Sequence, residues 1–162
     1  ALALGDALAV ALLEAKNFKS DDFAKSHPGG KLGKRLITTV DDLMHKGDDL
    51  PIVTKKTSLS ETLIEISSKG LGVALVVNKN KLLGIFTDGD LRRTLNNEKD
   101  PLNLDIESFM TQKSKTIQKH CLAIEALEIM QNNSIYSLAV LDKKHVPVGV
   151  IRMHDLIEAG LV

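Results

Sequence analysis

Tryptophan is missing from this chain, tyrosine occurs once and phenylalanine four times. So few rings exclude a base-stacking platform for single-stranded nucleic acid. Neither sign of charge is in excess: 21 basic residues stand against 21 acidic ones. That balance removes the electrostatic footprint of a nucleic-acid or anionic-membrane binder. A lone cysteine, Cys121, excludes an intrachain disulfide and fits a reducing compartment, so a cytoplasmic location is expected. No apolar run reaches membrane-spanning length. The opening ALALGDALAVALL lacks a basic leading region and Asp6 interrupts it, which argues against a signal peptide. The five histidines fall into no zinc spacing such as CxxC or HExxH, so no metal is expected. His154 and Glu158, one helical turn apart, read as a surface pair.

What the chain does have is a motif that occurs twice. GIFTDGDLRR, from Gly84 to Arg93, reads as a buried strand, a polar turn over Thr87 to Gly89, and a helix that starts at Asp90. Asp90 has the side chain of an N-cap, and the free amides and dipole of the first helical turn suit an anion. GVIRMHDLIE, from Gly149 to Glu158, repeats the pattern: glycine, two apolar residues, a variable triplet, then Asp-Leu. The repeat extends upstream. Asp42-Leu43-Met44 matches Ser108-Phe109-Met110, a helix from Leu59 matches one from Leu122, and the runs VALVV and SLAVL match as strands. Gly70 and Asn133 are the C-cap residues expected for the paired helices. Each unit is therefore strand, helix, strand, strand, helix, and the Pro101-containing polar segment Asn96 to Asp105 is the expected linker.

The expected domains are residues 1–36, 37–96 and 104–162, in a mixed α/β fold. A unit of roughly 50–60 residues has a marginal core by itself. Face-to-face packing of the two units removes that difficulty, creates an approximate two-fold axis, and leaves two related clefts where turns and helix N-termini converge. Ahead of the repeats, Leu4, Ala7, Leu8, Ala11, Leu12 and Ala15 follow helical spacing, and the many alanines suit close packing on another helix or domain. SDDFAKSH, with Ser20 as cap, is a second short helix stopped at Pro28. HPGGKLGKRL looks like a phosphate loop, but Gly29 and Gly33 are spaced wrongly for Walker A, and Arg35 follows Lys34 where that motif has Ser or Thr. His27, before the Pro-Gly-Gly turn, is either an acid-base catalyst or a loop histidine that satisfies backbone groups. The chain has no initiator Met and opens within a helical pattern, and it is expected to be a piece of a longer protein.

The duplicated unit resembles a tandem pair of CBS domains, a regulatory module that binds nucleotides, over about three quarters of the chain. The ligand motif of that family is glycine, two apolar residues, Ser or Thr, two variable residues and Asp. Gly84, Thr87 and Asp90 match it, which implies that Asp90 holds ribose hydroxyls and Thr87 the phosphate or sugar. In the second repeat Asp155 is kept, but Arg152 replaces the hydroxyl residue and is a charge for an acidic ligand. The full span, from LALGDALAVALLEAKNF through SHPGG to TDGDLRR, is similar to D-arabinose 5-phosphate isomerases, which join a sugar isomerase domain to a CBS pair. That resemblance implies a Rossmann-like isomerase domain upstream, of which residues 1–36 are the tail, and a tetramer built with dimers of CBS pairs. It also implies interconversion of ribulose 5-phosphate and arabinose 5-phosphate for lipopolysaccharide Kdo synthesis, and a catalytic role for His27 in the intact enzyme. One histidine does not make the whole site, so the present chain alone is expected to be inactive. No cofactor is required; the expected effector is CMP-Kdo or an adenine nucleotide.

Overall fold

A computed structural model describes residues 2–17, 22 and 31–162. His27, the Pro28 turn and nearly all of the second predicted helix lie outside the described residues. The alanine-rich helix α1 (Leu2–Ala15) forms as its spacing predicts and exposes its apolar side chains, including Leu4, Leu8 and Leu12. The rejected phosphate loop continues into helix α2 (Lys31–Ile37). Its cations meet carbonyls at the far end of the chain: Lys34 Nζ donates to Ala159 O (3.3 Å) and Arg35 Nε to Leu161 O (3.1 Å). Cations there complement the carbonyls that a terminating helix leaves free.

The first repeat comprises helix α3 (Val40–Leu43), strand β1 (Ile52–Thr54), helix α4 (Leu59–Lys69), strands β2 (Val73–Asn78) and β3 (Lys81–Thr87), and helix α5 (Asp88–Asn97). The second comprises strands β4 (Thr111–Gln112) and β5 (Thr116–Gln118), helix α6 (Ala123–Asn133), strands β6 (Ser137–Leu141) and β7 (Pro147–Arg152), and helix α7 (Met153–Glu158). After a leading element absent from the expected pattern, α3 in the first repeat and β4 in the second, each repeat runs β-α-β-β-α as expected, in the mixed α/β class. In each sheet a parallel pair, β1 on β2 or β5 on β6, is followed by an antiparallel hairpin. Both hairpins carry a register shift at the same place, Val76/Val77 and Val140/Leu141. Lys79 and Asn80 both take positive φ, the two-residue turn whose twist suits a hairpin.

Local chemistry sets the helix ends. Ser58 caps α4 and shares a reciprocal capping box with Glu61, and Gly70 ends the helix at φ 67°. In the second repeat the left-handed C-cap is Ser134, one residue beyond the expected Asn133, and Asn133 is the last helical residue. The Asn96–Asp105 segment is not a free linker. Its first two residues belong to α5, and Leu104 O and Leu102 O accept from Leu59 N (3.0 Å) and Ser60 N (2.9 Å). Those are two of the amides that the start of α4 leaves without partners.

The repeats exchange their leading segments. β4, which opens the second repeat, is the edge strand of the first sheet, in the order β1-β2-β3-β4. His45, from the lead of the first repeat, bridges Val150 in the second. Each core accordingly holds side chains of both units. Ile106 is fully buried with Val53, Leu59 and Phe86, and Phe109 and Met110 pack on that cluster. Val40 and Met44 are buried with Leu138, Ile151 and Leu156. A third cluster, Leu50, Leu71, Val73, Leu75, Ala139 and Val150, joins the sheets.

Candidate ligand cleft between the repeats

The starts of α5 and α7 and the strand ends before them border one cleft of about 880 Å³. Two related clefts are expected from the duplication; this cleft is lined by both repeats together. The first repeat contributes Thr87, Asp90, Arg92 and Arg93, and the lead of the second adds Thr111. The second contributes Tyr136, Arg152, Met153, His154 and Ile157. The size suits a small ligand, and the wall combines apolar side chains such as Leu71, Ile85 and Ile157 with hydroxyl, acidic and basic groups from both repeats.

Asp90 is not an N-cap. Helix α5 begins two residues earlier at Asp88, its N-cap is Thr87, and Asp90 is the third helical residue. It closes a capping box: Thr87 N and Oγ1 donate to Asp90 Oδ2 (2.9 and 2.7 Å), and Asp90 N donates back to Thr87 Oγ1 (3.4 Å). A Thr three residues ahead of an acid is the pattern of that box. The other oxygen, Oδ1, accepts from Thr111 Oγ1 (2.7 Å) and from Arg93. The carboxylate is thus 4% exposed and bonded on both oxygens, at the cleft wall. Arg93 is the partner that reaches it from solvent, with its side chain 67% exposed. Arg92 lies one residue earlier and donates through Nε to Asp88 O (3.4 Å).

The second repeat reproduces this with different side chains. Arg152 is the residue before α7, and its N donates to Asp155 Oδ2 (2.8 Å). Its guanidinium also holds that carboxylate, Nε at 3.3 Å from Oδ2 and Nη2 at 2.7 Å from Oδ1. His45 Nε2 lies 3.1 Å from Asp155 Oδ1 and 3.1 Å from Arg152 Nη2. Arg152 Nη1 crosses to the other repeat and donates to Gly70 O (3.3 Å). His45 and Thr111 are matching residues, each following the methionine of its exchanged lead.

Of the five residues expected at the ligand, Thr87, Asp90 and Arg152 border the cleft; Gly84 and Asp155 do not. Gly84 answers a packing need. A Cβ there would lie 2.5 Å from Thr111 O, because β4 crosses β3 at that point. Gly149, its counterpart, would bring a Cβ within 2.4 Å of Met44 Sδ. The repeated glycine therefore records close approach of the exchanged leads. Thr111, His45 and Tyr136 are the neighbours that sequence reasoning missed. The first two were signalled by their place after Met44 and Met110. Tyr136 is the only tyrosine, stands exposed, and occupies the position that Gly72 holds in the first repeat. His154 and Glu158 form the expected exposed pair at 3.3 Å. No group of metal-ligating side chains occurs among the described residues.

Burial works to raise the pKa of Asp155, but the bonds from Arg152 and His45 outweigh it and hold the group below its ordinary 3.8. Asp42 is lowered as well, chiefly by the Thr39 hydroxyl and then by the Thr39 amide. A carboxylate with a depressed folded pKa stabilises the fold above its unfolded value, and that contribution is lost as pH falls through the folded value. Urea midpoints are expected to hold down to about pH 5 and to drop below about pH 4, with a shallower drop in Asp155→Asn.

The family model for the CBS domain matches residues 40–97 and 106–161. The arabinose 5-phosphate isomerase KdsD of Pseudomonas aeruginosa is 51% identical over 99% of this chain and 50% of its own length. KdsD of Escherichia coli K12 is 47% identical over 99% of this chain and 49% of its own. The chain spans about half the length of the curated relatives it matches. Among solved structures, the CBS pair of MJ0100 in complex with 5′-methylthioadenosine and S-adenosyl-L-methionine superposes with a TM-score of 0.68 at 23% identity, covering 75% of this chain and 94% of that one. CBSX2 in complex with AMP gives 0.66 at 21% identity, covering 76% and 96%.

Proposed function

Because the chain belongs to the CBS-domain family, we propose that it is the nucleotide-sensing pair of an arabinose-5-phosphate isomerase, which adjusts the activity of an attached sugar isomerase domain. The observation that carries this reading is the cleft between the repeats, with a buried carboxylate, Asp90, on one wall and cations from both repeats around it. A carboxylate accepts from two hydroxyls at once, and arginines bind phosphate or carboxylate. A ribose and an acidic group within one molecule answer both. CMP-Kdo supplies ribose, phosphate and carboxylate together; adenine nucleotides are the rival class, supported by the AMP and S-adenosylmethionine complexes of the structural neighbours. The intact protein interconverts ribulose 5-phosphate and arabinose 5-phosphate for Kdo synthesis in the cytoplasm, with His27 in its catalytic site, and the 162-residue chain by itself is inactive. Regulation requires that the effector prefer one arrangement of the pair.

Calorimetry of the chain with CMP-Kdo, CMP, AMP and ATP tests the reading. Saturable binding of at least one is expected, together with a change in ribulose 5-phosphate turnover by the full-length enzyme. Heat of dilution alone with all four removes the sensor. A second reading, a module that only builds the oligomer, is favoured by apolar side chains left exposed on the repeat helices: Ile64, Leu95 and Ile157. Sedimentation that gives a dimer with no response to any nucleotide selects it.

A further inference from the structure

The carboxylates near the starts of α5 and α7 are the same residue of the repeat, held by different kinds of partner. Asp90 Oδ2 is held by the Thr87 amide and hydroxyl of its own capping box, and Oδ1 by the Thr111 hydroxyl at 2.7 Å and by Arg93, whose side chain is exposed. Asp155 is held by Arg152, whose side chain is 24% exposed and tied to three further places: the Asp155 carboxylate by two nitrogens, Gly70 O across the junction, and the neighbourhood of His45 Nε2. Arg152 occupies the position that Thr87 holds in the first repeat, where the side chain is short and uncharged and bonds only the acid of its own capping box. We infer that Arg152 is a built-in occupant of the second repeat's site, so that the cleft takes one ligand per chain, seated on the first repeat's side. The inference rests on the nucleotide-binding reading above and specifies its stoichiometry and polarity.

The physical asymmetry lies in what a ligand must displace. Both acids are buried, Asp90 at 4% and Asp155 at 9%, so the difference lies in the arginine: at Asp90 two ligand hydroxyls can take the places of Arg93 and Thr111 on Oδ1, and Arg93 is a solvent-exposed side chain free to swing away. At Asp155 a ligand has to expel a guanidinium that is bonded on both faces of the junction and leave a nearly buried carboxylate without its counter-charge, a far more costly exchange. Arg152 also puts a cation on the second repeat's side of the cleft, which draws the acidic end of the same ligand toward that repeat.

The experiment is native mass spectrometry and calorimetry of the 162-residue chain with AMP and CMP as probes. One nucleotide per chain is expected at saturation. Asp90→Asn is expected to weaken binding by about tenfold or more, the loss of a charge-assisted hydrogen bond, and Asp155→Asn, at a residue outside the cleft wall that acts only through Arg152, to weaken it clearly less. Arg152→Thr is expected to admit a second nucleotide, which Asp90→Asn in the same chain reduces to one. Two nucleotides on the unaltered chain, equal losses from the two aspartates, or one nucleotide on a folded Arg152→Thr variant each overturn the inference and leave the sensor reading standing. No binding by any form overturns the sensor reading, and the inference with it. If Arg152→Thr fails to fold by circular dichroism, the unaltered stoichiometry and the two aspartate variants decide.

Discussion

Replacing Gly84 by alanine is expected to lower the stability of the chain by about 3 kcal/mol, the upper part of the range for overpacking a close-packed site. The new Cβ would lie 2.5 Å from Thr111 O and 3.1 Å from Thr111 C, both backbone atoms of the edge strand β4. A backbone carbonyl in a strand pair has no rotamer by which to retreat, so β4 must move off β3. That movement breaks the pairing of Gly84 with Gln112 and of Ile85 with Thr111. It also takes Thr111 Oγ1 away from Asp90 Oδ1. At about 2–4 °C per kcal/mol for a chain of this length, the Tm is expected to fall by roughly 10 °C. Gly149→Ala is the control. Its nearest contacts are Met44 Sδ and Cγ, a side chain that can rotate, with His45 O next at 3.1 Å. The expected loss there is smaller, about 1 kcal/mol. Urea unfolding of the two variants beside the unaltered chain measures both, and equal losses would remove the strand-crossing account of the repeated glycine.

The duplication was plain in the sequence because it is a statement about spacing. Matching apolar periods, the Met before each first strand and the paired Asp-Leu helices all survive in the one-dimensional string, and they place the strand-helix-strand-strand-helix of both repeats in order, though not the leading α3 and β4. Helix starts were half legible. Ser58 with Glu61 reads as a capping box, and so does Thr87 with Asp90, yet the conspicuous acid drew the cap onto Asp90 when the hydroxyl three residues earlier performs that role. What the string does not contain is which sheet a leading segment joins. Thr111-Gln112 has the same local sequence character whether it pairs with its own repeat or with the other, and only the complementary core decides. For the same reason the glycine of the motif read as a ligand contact: both a ligand and a neighbouring strand demand the same missing Cβ, and the sequence does not distinguish them. Arg152 marked a difference between the repeats, but its reach to Gly70 and its meeting with His45 are tertiary facts.

The exchange of leads makes a strong claim about which pieces of the chain can fold. Residues 37–103, the expected first unit together with the segment up to the start of the second, are expected to remain unfolded alone, whereas residues 46–112 are expected to give a cooperative thermal transition. The first piece carries Val40 and Met44, whose core is in the other repeat, and lacks Ile106, Phe109, Met110 and strand β4. Loss of a buried Ile or Met side chain costs about 2–5 kcal/mol and of a Phe about 3–5. Even with the two less buried residues discounted, the deficit approaches the whole stability of an ordinary domain, about 5–15 kcal/mol. The second piece has the same length but keeps the four-stranded sheet and the closed cluster around Phe86. It also retains Leu102 and Leu104, whose carbonyls accept from the first amides of α4, and Thr111, which bonds Asp90. Its exposed flaw is the apolar face of Leu71, Val73 and Leu75 that normally meets the second sheet, so a lowered but cooperative melt is expected. Far-ultraviolet circular dichroism with thermal scans, and the spread of amide proton shifts, distinguish the outcomes. A cooperative melt from 37–103 that matches or exceeds that of 46–112 would mean that each repeat closes its own core, and the assignment of β4 to the first sheet would fall.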